Sequence, residues 1–240
     1  MAEHDKDTTK TSPQGTKSRA VLYSIGALII AAIAVGLYFI SSDAPADATE
    51  PANNPELANL MAEGPLEDIV LGDPNGDVVI VEYASMTCPH CAHFYTDVFP
   101  ELKKKYIDTG KARFIFREFP LDGLAMAASM LARCAGPDRF HPMIEGLFET
   151  QETWAVTGPD GKEKLKSIAK QAGFSEESFE ECVADKELFD KIVAVRKKAN
   201  EEYGVKSTPS FFVNGKPLSG VTIEIFDAAI EGEPETPSSG

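Results

Sequence analysis

Basic residues are scarce in this 240-residue sequence: 23 Lys and Arg stand against 38 Asp and Glu, a net charge of −15. That balance excludes nucleic acid as a main partner, because phosphate backbones are held by clustered Lys and Arg. Cysteine is scarce too. Cys88, Cys91, Cys134 and Cys182 are too few to staple a small disulfide scaffold, so each must be explained by its position. There is no Gly-rich phosphate loop, no Ser/His/Asp nucleophile order, no dinucleotide fingerprint and no internal repeat, so no cofactor is expected. What the sequence does have is a 43% apolar content, enough to bury a core. Its length fits one domain with accessory segments.

The first such segment is residues 20–40, which carry no charge. Twenty-one residues at about 1.5 Å each reach roughly 31 Å, the thickness of a hydrocarbon core. Lys6, Lys10, Lys17 and Arg19 precede it, so the positive-inside rule keeps residues 1–19 in the cytoplasm. The run is longer than the apolar stretch of an ordinary signal peptide, and a transmembrane anchor is expected. The alternative is a cleaved leader, with Ala46-Asp47-Ala48 as its small-residue site. Either way the rest of the chain is exported to an oxidising compartment, where paired cysteines are plausible. Residues 1–40 carry four basic and three acidic groups, so the exported part holds −16. An acidic body of that kind is repelled by anionic lipid, and the helix alone would hold it at the membrane.

Residues 41–64 are rich in Ala, Pro and Asn without periodicity and read as a flexible linker. A compact domain is expected over 65–231, followed by a disordered tail over 232–240. Ile69-Val70-Leu71 reads as a short strand before the turn Gly72–Gly76. Val78–Ala84 is a near-continuous apolar run, the mark of a strand buried on both faces. A helix is predicted from Cys88 to about Thr109, and a second long strand over Arg113–Phe119. Residues 121–203 follow a helical pattern. Phe211–Val213, the turn Asn214-Gly215 and Lys216–Leu218 read as a hairpin, and Ile223–Ile230 as a last helix.

Cys88-Pro89-His90-Cys91 falls where the first long strand gives way to a helix. Proline suits the first helical position, because its missing N–H would have no partner there. Cys88 is then the N-cap and Cys91 the third helical residue. A Cys88 thiolate accepts helix N–H groups and meets the positive end of the helix dipole, which lowers its pKa and makes it the attacking, exposed sulfur. A protonated His90 adds positive charge. Stabilising the reduced dithiol makes the disulfide a stronger oxidant. The competing reading is a metal site built from Cys88, His90, Cys91 and His93. His93, however, lies two residues past Cys91 on the same helix, and no second tetrad is in sight, so no metal is expected. His141 reads as structural.

On this motif, the helical insertion, and Thr208-Pro209 ahead of Ser210–Gly215, the chain resembles the DsbA family of thioredoxin-fold thiol–disulfide oxidoreductases of the bacterial cell envelope. The resemblance spans roughly residues 66–231. It implies an α/β thioredoxin fold with a helical domain inserted between its βαβ and ββα halves. It also implies a cis proline at Pro209 facing Cys88 and Cys91, with Thr208 offering backbone to an extended substrate strand. Thr208 departs from the aliphatic residue of the best-known strong oxidants. Glu82 interrupts the first long strand where the family carries an acidic residue beneath the cysteines, and could take a proton from Cys91. The alternative for Glu82 is a strand-end carboxylate facing solvent or a lysine.

Cys134 and Cys182, a leftover pair in an exported chain, suggest a disulfide, and some DsbA-like proteins carry a second, non-catalytic one. Two buried free thiols are the alternative. The expected function is disulfide introduction into unfolded exported polypeptides by a monomer at the inner membrane. A DsbB-like membrane partner would recycle it. The alternatives are a reductase or isomerase of the same fold, or a metal-binding or chaperone module.

Overall fold

The computed structural model describes residues 54–232 except 157 and 159. The segments read as residues 1–19, as the anchor 20–40 and as most of the linker and tail lie outside the described residues. Among the described residues no helix is long and apolar enough to cross a membrane.

The described part of the linker carries a correction. Pro55–Leu60 form a helix, α1, with Asn54 as its N-cap accepting from the Leu57 N–H at 3.0 Å and Pro55 in its first turn. Leu57 and Leu60, three apart on one face, are both buried. Six residues with two large apolar side chains give too short a pattern to register as a period. The Asn54 side-chain amide also donates to the carbonyl of Asn214 at 2.8 Å, tying α1 to the hairpin. That approach requires glycine at 215: a Cβ there would stand 2.3 Å from the Leu57 nitrogen, and its φ is +84°.

Five strands form one sheet in the order β1-β3-β2-β4-β5, with β1 at Val70–Gly72, β2 at Val78–Ala84, β3 at Ala112–Glu118, β4 at Ser210–Val213 and β5 at Lys216–Pro217. β2 and β3 are parallel in the register Glu82 to Phe116, while β4 runs antiparallel to β2 with Glu82 opposite Phe211. All seven residues of β2 are buried, as its unbroken apolar run requires of a central strand covered on both faces. Alternation divides its side chains between two cores. Val78, Ile80 and Ala84 join Cys91, Phe94 and Tyr95 on one face; Val79, Val81 and Tyr83 meet Leu57, Val195 and Phe212 on the other.

The crossover from β2 to β3 is α2, and it is less regular than the sequence pattern predicts. It begins as an α-helix over Pro89–His93, widens over Phe94–Val98, resumes over Phe99–Leu102 and widens again over Lys103–Ile107. Pro100 has no N–H to donate into the helix, and the first wide turn, closed by the Phe99 N–H to the Phe94 carbonyl, immediately precedes it. Between β3 and β4 come six helices: α3 Gly123–Cys134, α4 Pro137–Glu149, α5 Gln151–Trp154, α6 Asp160–Gln171, α7 Glu176–Ala184 and α8 Lys186–Glu202. The domain closes with α9, Ile223–Glu231. The whole is a thioredoxin-like α/β fold with a helical region inserted between its βαβ and ββα halves.

Candidate active site

Central β2 delivers the chain to the face where α2 begins. Cys88, in extended conformation (φ −78°, ψ 119°), caps α2, and Pro89 occupies the first turn. The Cys91 N–H donates to Cys88 Sγ at 3.4 Å. Cys88 Sγ in turn lies 3.3 Å from the Thr208 carbonyl, which accepts from the thiol. The Thr208–Pro209 peptide is cis and faces the motif from the start of β4. Pro89 and His90 are exposed. Cys88 itself is only 5% exposed because the Thr208–Pro209 segment packs against it, which corrects the expectation of an exposed sulfur. Cys91 is fully buried one turn further in.

The two thiols are opposite in character. Hydrogen bonding from Cys91 draws Cys88 down from 9.0 to about 5, against the opposing effect of burial. The backbone N–H groups of Cys91 and His90 add to the lowering. Burial drives Cys91 far up, and the neighbouring Cys88 and Glu82 push it the same way. At neutral pH Cys88 is therefore the thiolate and Cys91 the thiol.

Glu82 lies beneath them, fully buried, and neither carboxylate oxygen has a hydrogen-bond partner among the described residues. That excludes both the solvent-facing and the lysine-paired alternatives. Burial raises its pKa well above the ordinary range; the neighbouring Tyr95 phenol opposes this, and Cys88 reinforces it. Burial thus favours the protonated form of Glu82, beneath the buried thiol.

The remaining sequence candidates stand apart from this cluster. His93 is exposed and pairs with Asp97 at 2.9 Å. The His141 ring is buried against the Ile69 carbonyl at 2.8 Å. Cys134 at the end of α3 and Cys182 in α7 are bonded to each other, with Cα atoms 6.2 Å apart.

Sequence reasoning missed the residues that hold the cysteine turn. The buried Gln151 amide donates to the carbonyls of Met86 and Cys88 at 2.9 and 3.0 Å. Asp122 accepts from the Thr87 hydroxyl while capping α3 through the Ala125 N–H at 2.8 Å. The inserted helices therefore clamp the turn. A lone Gln 63 residues past Cys88 gives no local signal of this. Also missed was Glu118, buried on β3 and held by both arms of Arg133, one contact being 3.0 Å.

A dithiol with its reactive sulfur at a helix N-terminus, its partner buried, and a cis proline opposite defines a thioredoxin-fold redox protein. The comparisons carry this further. The thioredoxin family model matches residues 66–232. A Rickettsia bellii relative named as a protein-disulfide oxidoreductase is 36% identical over 165 residues, 68% of this chain and 63% of the relative. Disulfide bond formation protein D of Bacillus subtilis is 33% identical over 155 residues, 61% of this chain and 68% of that protein. The crystal structure of alpha-DsbA1 from Wolbachia pipientis superposes with a TM-score of 0.67 at 33% identity, covering 72% of this chain and 93% of that one. The chain belongs to the thioredoxin family, and within it is DsbA-like. It spans a little under two thirds of the length of the Rickettsia bellii relative.

Proposed function

We propose that this chain is a thiol:disulfide oxidoreductase that introduces disulfide bonds into exported polypeptides through a reversible Cys88–Cys91 pair. The observation that carries this is the polarity of the pair: Cys88 caps the helix and accepts the Cys91 N–H, which lowers its pKa to about 5, while Cys91 is fully buried behind it. A thiolate stabilised in the reduced state favours reduction of the enzyme, and therefore oxidation of whatever thiol it meets.

In the oxidative half-reaction a substrate thiolate attacks Cys88 Sγ, the Cys88–Cys91 bond breaks, and Cys91 leaves as a thiolate. Glu82 supplies the proton that this buried sulfur needs. A second substrate thiolate then attacks the substrate sulfur of the mixed disulfide and releases Cys88 as a thiolate. Two electrons have passed from substrate to enzyme. The cis Thr208–Pro209 segment would hold an extended substrate strand beside Cys88 through its backbone. On this reading the domain works outside the cytoplasm, anchored through residues 20–40, and a DsbB-like membrane protein reoxidises it.

The test is oxidative refolding of a reduced, unfolded substrate by the oxidised full-length chain. Wild type accelerates formation of substrate disulfides, and Cys88→Ser abolishes it. Retention of full activity by Cys88→Ser would rule out redox catalysis and favour a chaperone or metal-binding role.

A further inference from the structure

Protonation of Cys91 leaves a question of supply. Glu82 and Cys91 are both fully buried, so a carboxylate that has given up its proton cannot recover one directly from water. Tyr95 stands next in line. It lies four residues after Cys91 on the inward face of α2, and its hydroxyl is buried without a hydrogen-bond partner among the described residues. Both oxygens of Glu82 share that condition. Three orphaned polar atoms are thus gathered on one face of the sheet, in an otherwise apolar core. Orphans of this kind are rare in native interiors and need a reason.

The far side of Tyr95 leads outward. Its ring stacks on Phe148 of α4 at 4.4 Å between centroids and 23° between planes. Glu145, half-buried, is one turn before Phe148 on the same helix. Tyr95 and Glu145, with Phe99, Pro100, Lys103 and Glu149, line a cleft of about 360 Å³ that opens to solvent. Charged and titratable groups face the route from every side. Cys88 and Cys91 face Glu82; Glu82, Cys91 and Glu145 face Tyr95; Lys103, Glu149 and Asp108 face Glu145. Burial raises the Glu145 carboxyl, Lys103 opposes this, and Glu149 and Asp108 add to it, so the group holds a proton more readily than an open carboxylate.

We propose that Tyr95 and Glu145 form the proton route between Glu82 and solvent, with the Tyr95 hydroxyl as relay and Glu145 at the mouth. The inference rests on the thiol–disulfide function proposed above. When Cys91 leaves as a thiolate, Glu82 gives it a proton and becomes a carboxylate. The Tyr95 hydroxyl passes its proton to Glu82 while its oxygen takes the proton of Glu145, and water reprotonates Glu145. One proton enters from solvent for each disulfide opened, and no electrons move beyond the thiol–disulfide exchange itself. Reoxidation of the enzyme runs the same route outward. Neither residue touches substrate; both act through Glu82.

The experiment is rapid-mix acid quench of the oxidised full-length chain with dithiothreitol, across pH and in H₂O and D₂O. Tyr95→Phe should slow the opening of the disulfide about tenfold and enlarge its solvent isotope effect, while leaving the Cys88 titration and the equilibrium potential in place. Glu145→Gln should slow it less and displace the rate–pH profile. The double variant should be no slower than Tyr95→Phe, because both changes interrupt one route. Wild-type rates in Tyr95→Phe, or losses that multiply in the double variant, would overturn the route. Should Tyr95→Phe fail to fold, the Glu145→Gln rate and profile decide alone, and an unchanged profile overturns it. A slow Glu82→Gln beside a fast Tyr95→Phe would sink this route but keep the proposed function. An active Cys88→Ser would sink that function instead.

Discussion

The two cysteine pairs differ in what surrounds them far more than in their covalent chemistry. Cys88 and Cys91 sit at a helix N-terminus three residues apart, one sulfur favoured as a thiolate and the other driven to stay a thiol. Cys134 and Cys182 join two helices across 48 residues of chain in the inserted region. The same sheet repeats the contrast in its carboxylates. Glu118 on β3 is buried and held by the Arg133 guanidinium. Glu82 on the adjacent β2 is equally buried, and among the described residues its oxygens have no hydrogen-bond partner. One member of each kind fastens the fold, and the other keeps an unspent reactivity. Reactive groups here are those that the fold buries or polarises without satisfying.

Variants can break that division. The largest effect should come from the cysteines. The double variant Cys134→Ser/Cys182→Ser should lose about 4 kcal/mol of stability, the loop-closure value for this span, yet keep the turnover that Cys88→Ser removes. Denaturant melts and refolding assays on the same preparations check this, and a loss of turnover in the folded double variant would erase the distinction. The carboxylates should respond with opposite signs. Glu118→Gln strands the Arg133 charge and should cost about 3 kcal/mol in a denaturant melt. Glu82→Gln removes a desolvated acid and should leave stability equal or higher at pH 7, while slowing disulfide opening. Equal destabilisation by both would mean that Glu82 is structural too.

The smallest effect is in pH dependence. The folded-state pKa of Cys88 is depressed from 9.0 to about 5. Its contribution to the stability of the reduced form is therefore complete above about pH 9, shrinks as pH falls between those values and is lost below about 5. The raised Glu82 works in the other direction, costing stability as pH climbs above the ordinary carboxylate range, but largely in both redox states. The stability difference between reduced and oxidised protein should accordingly narrow from pH 7 to pH 4. Paired melts at the two pH values measure it, and a constant difference would contradict the shift.

How much of this could be read from sequence follows from the range of each interaction. The cap at Cys88, the first-turn proline and the buried strand β2 are local, and four to seven residues suffice to reveal them. Glu82 was visible as a charge in an apolar run, although its isolation was not, since that depends on Phe116 and Phe211 of two other strands. Thr208-Pro209 lies 120 residues from Cys88 and became legible only through family resemblance. Gln151, Arg133 and the helix Pro55–Leu60 act across the fold from ordinary-looking segments, where no residue type or spacing announces a partner. The wide turns of α2 were missed because helical periodicity tolerates one extra residue per turn.

The polarity of the Cys88–Cys91 pair is measured most directly by its equilibrium potential against a glutathione buffer. A value of about −120 mV, where strong envelope oxidants lie, is predicted; one of about −270 mV, that of a thioredoxin-like reductant, would contradict it.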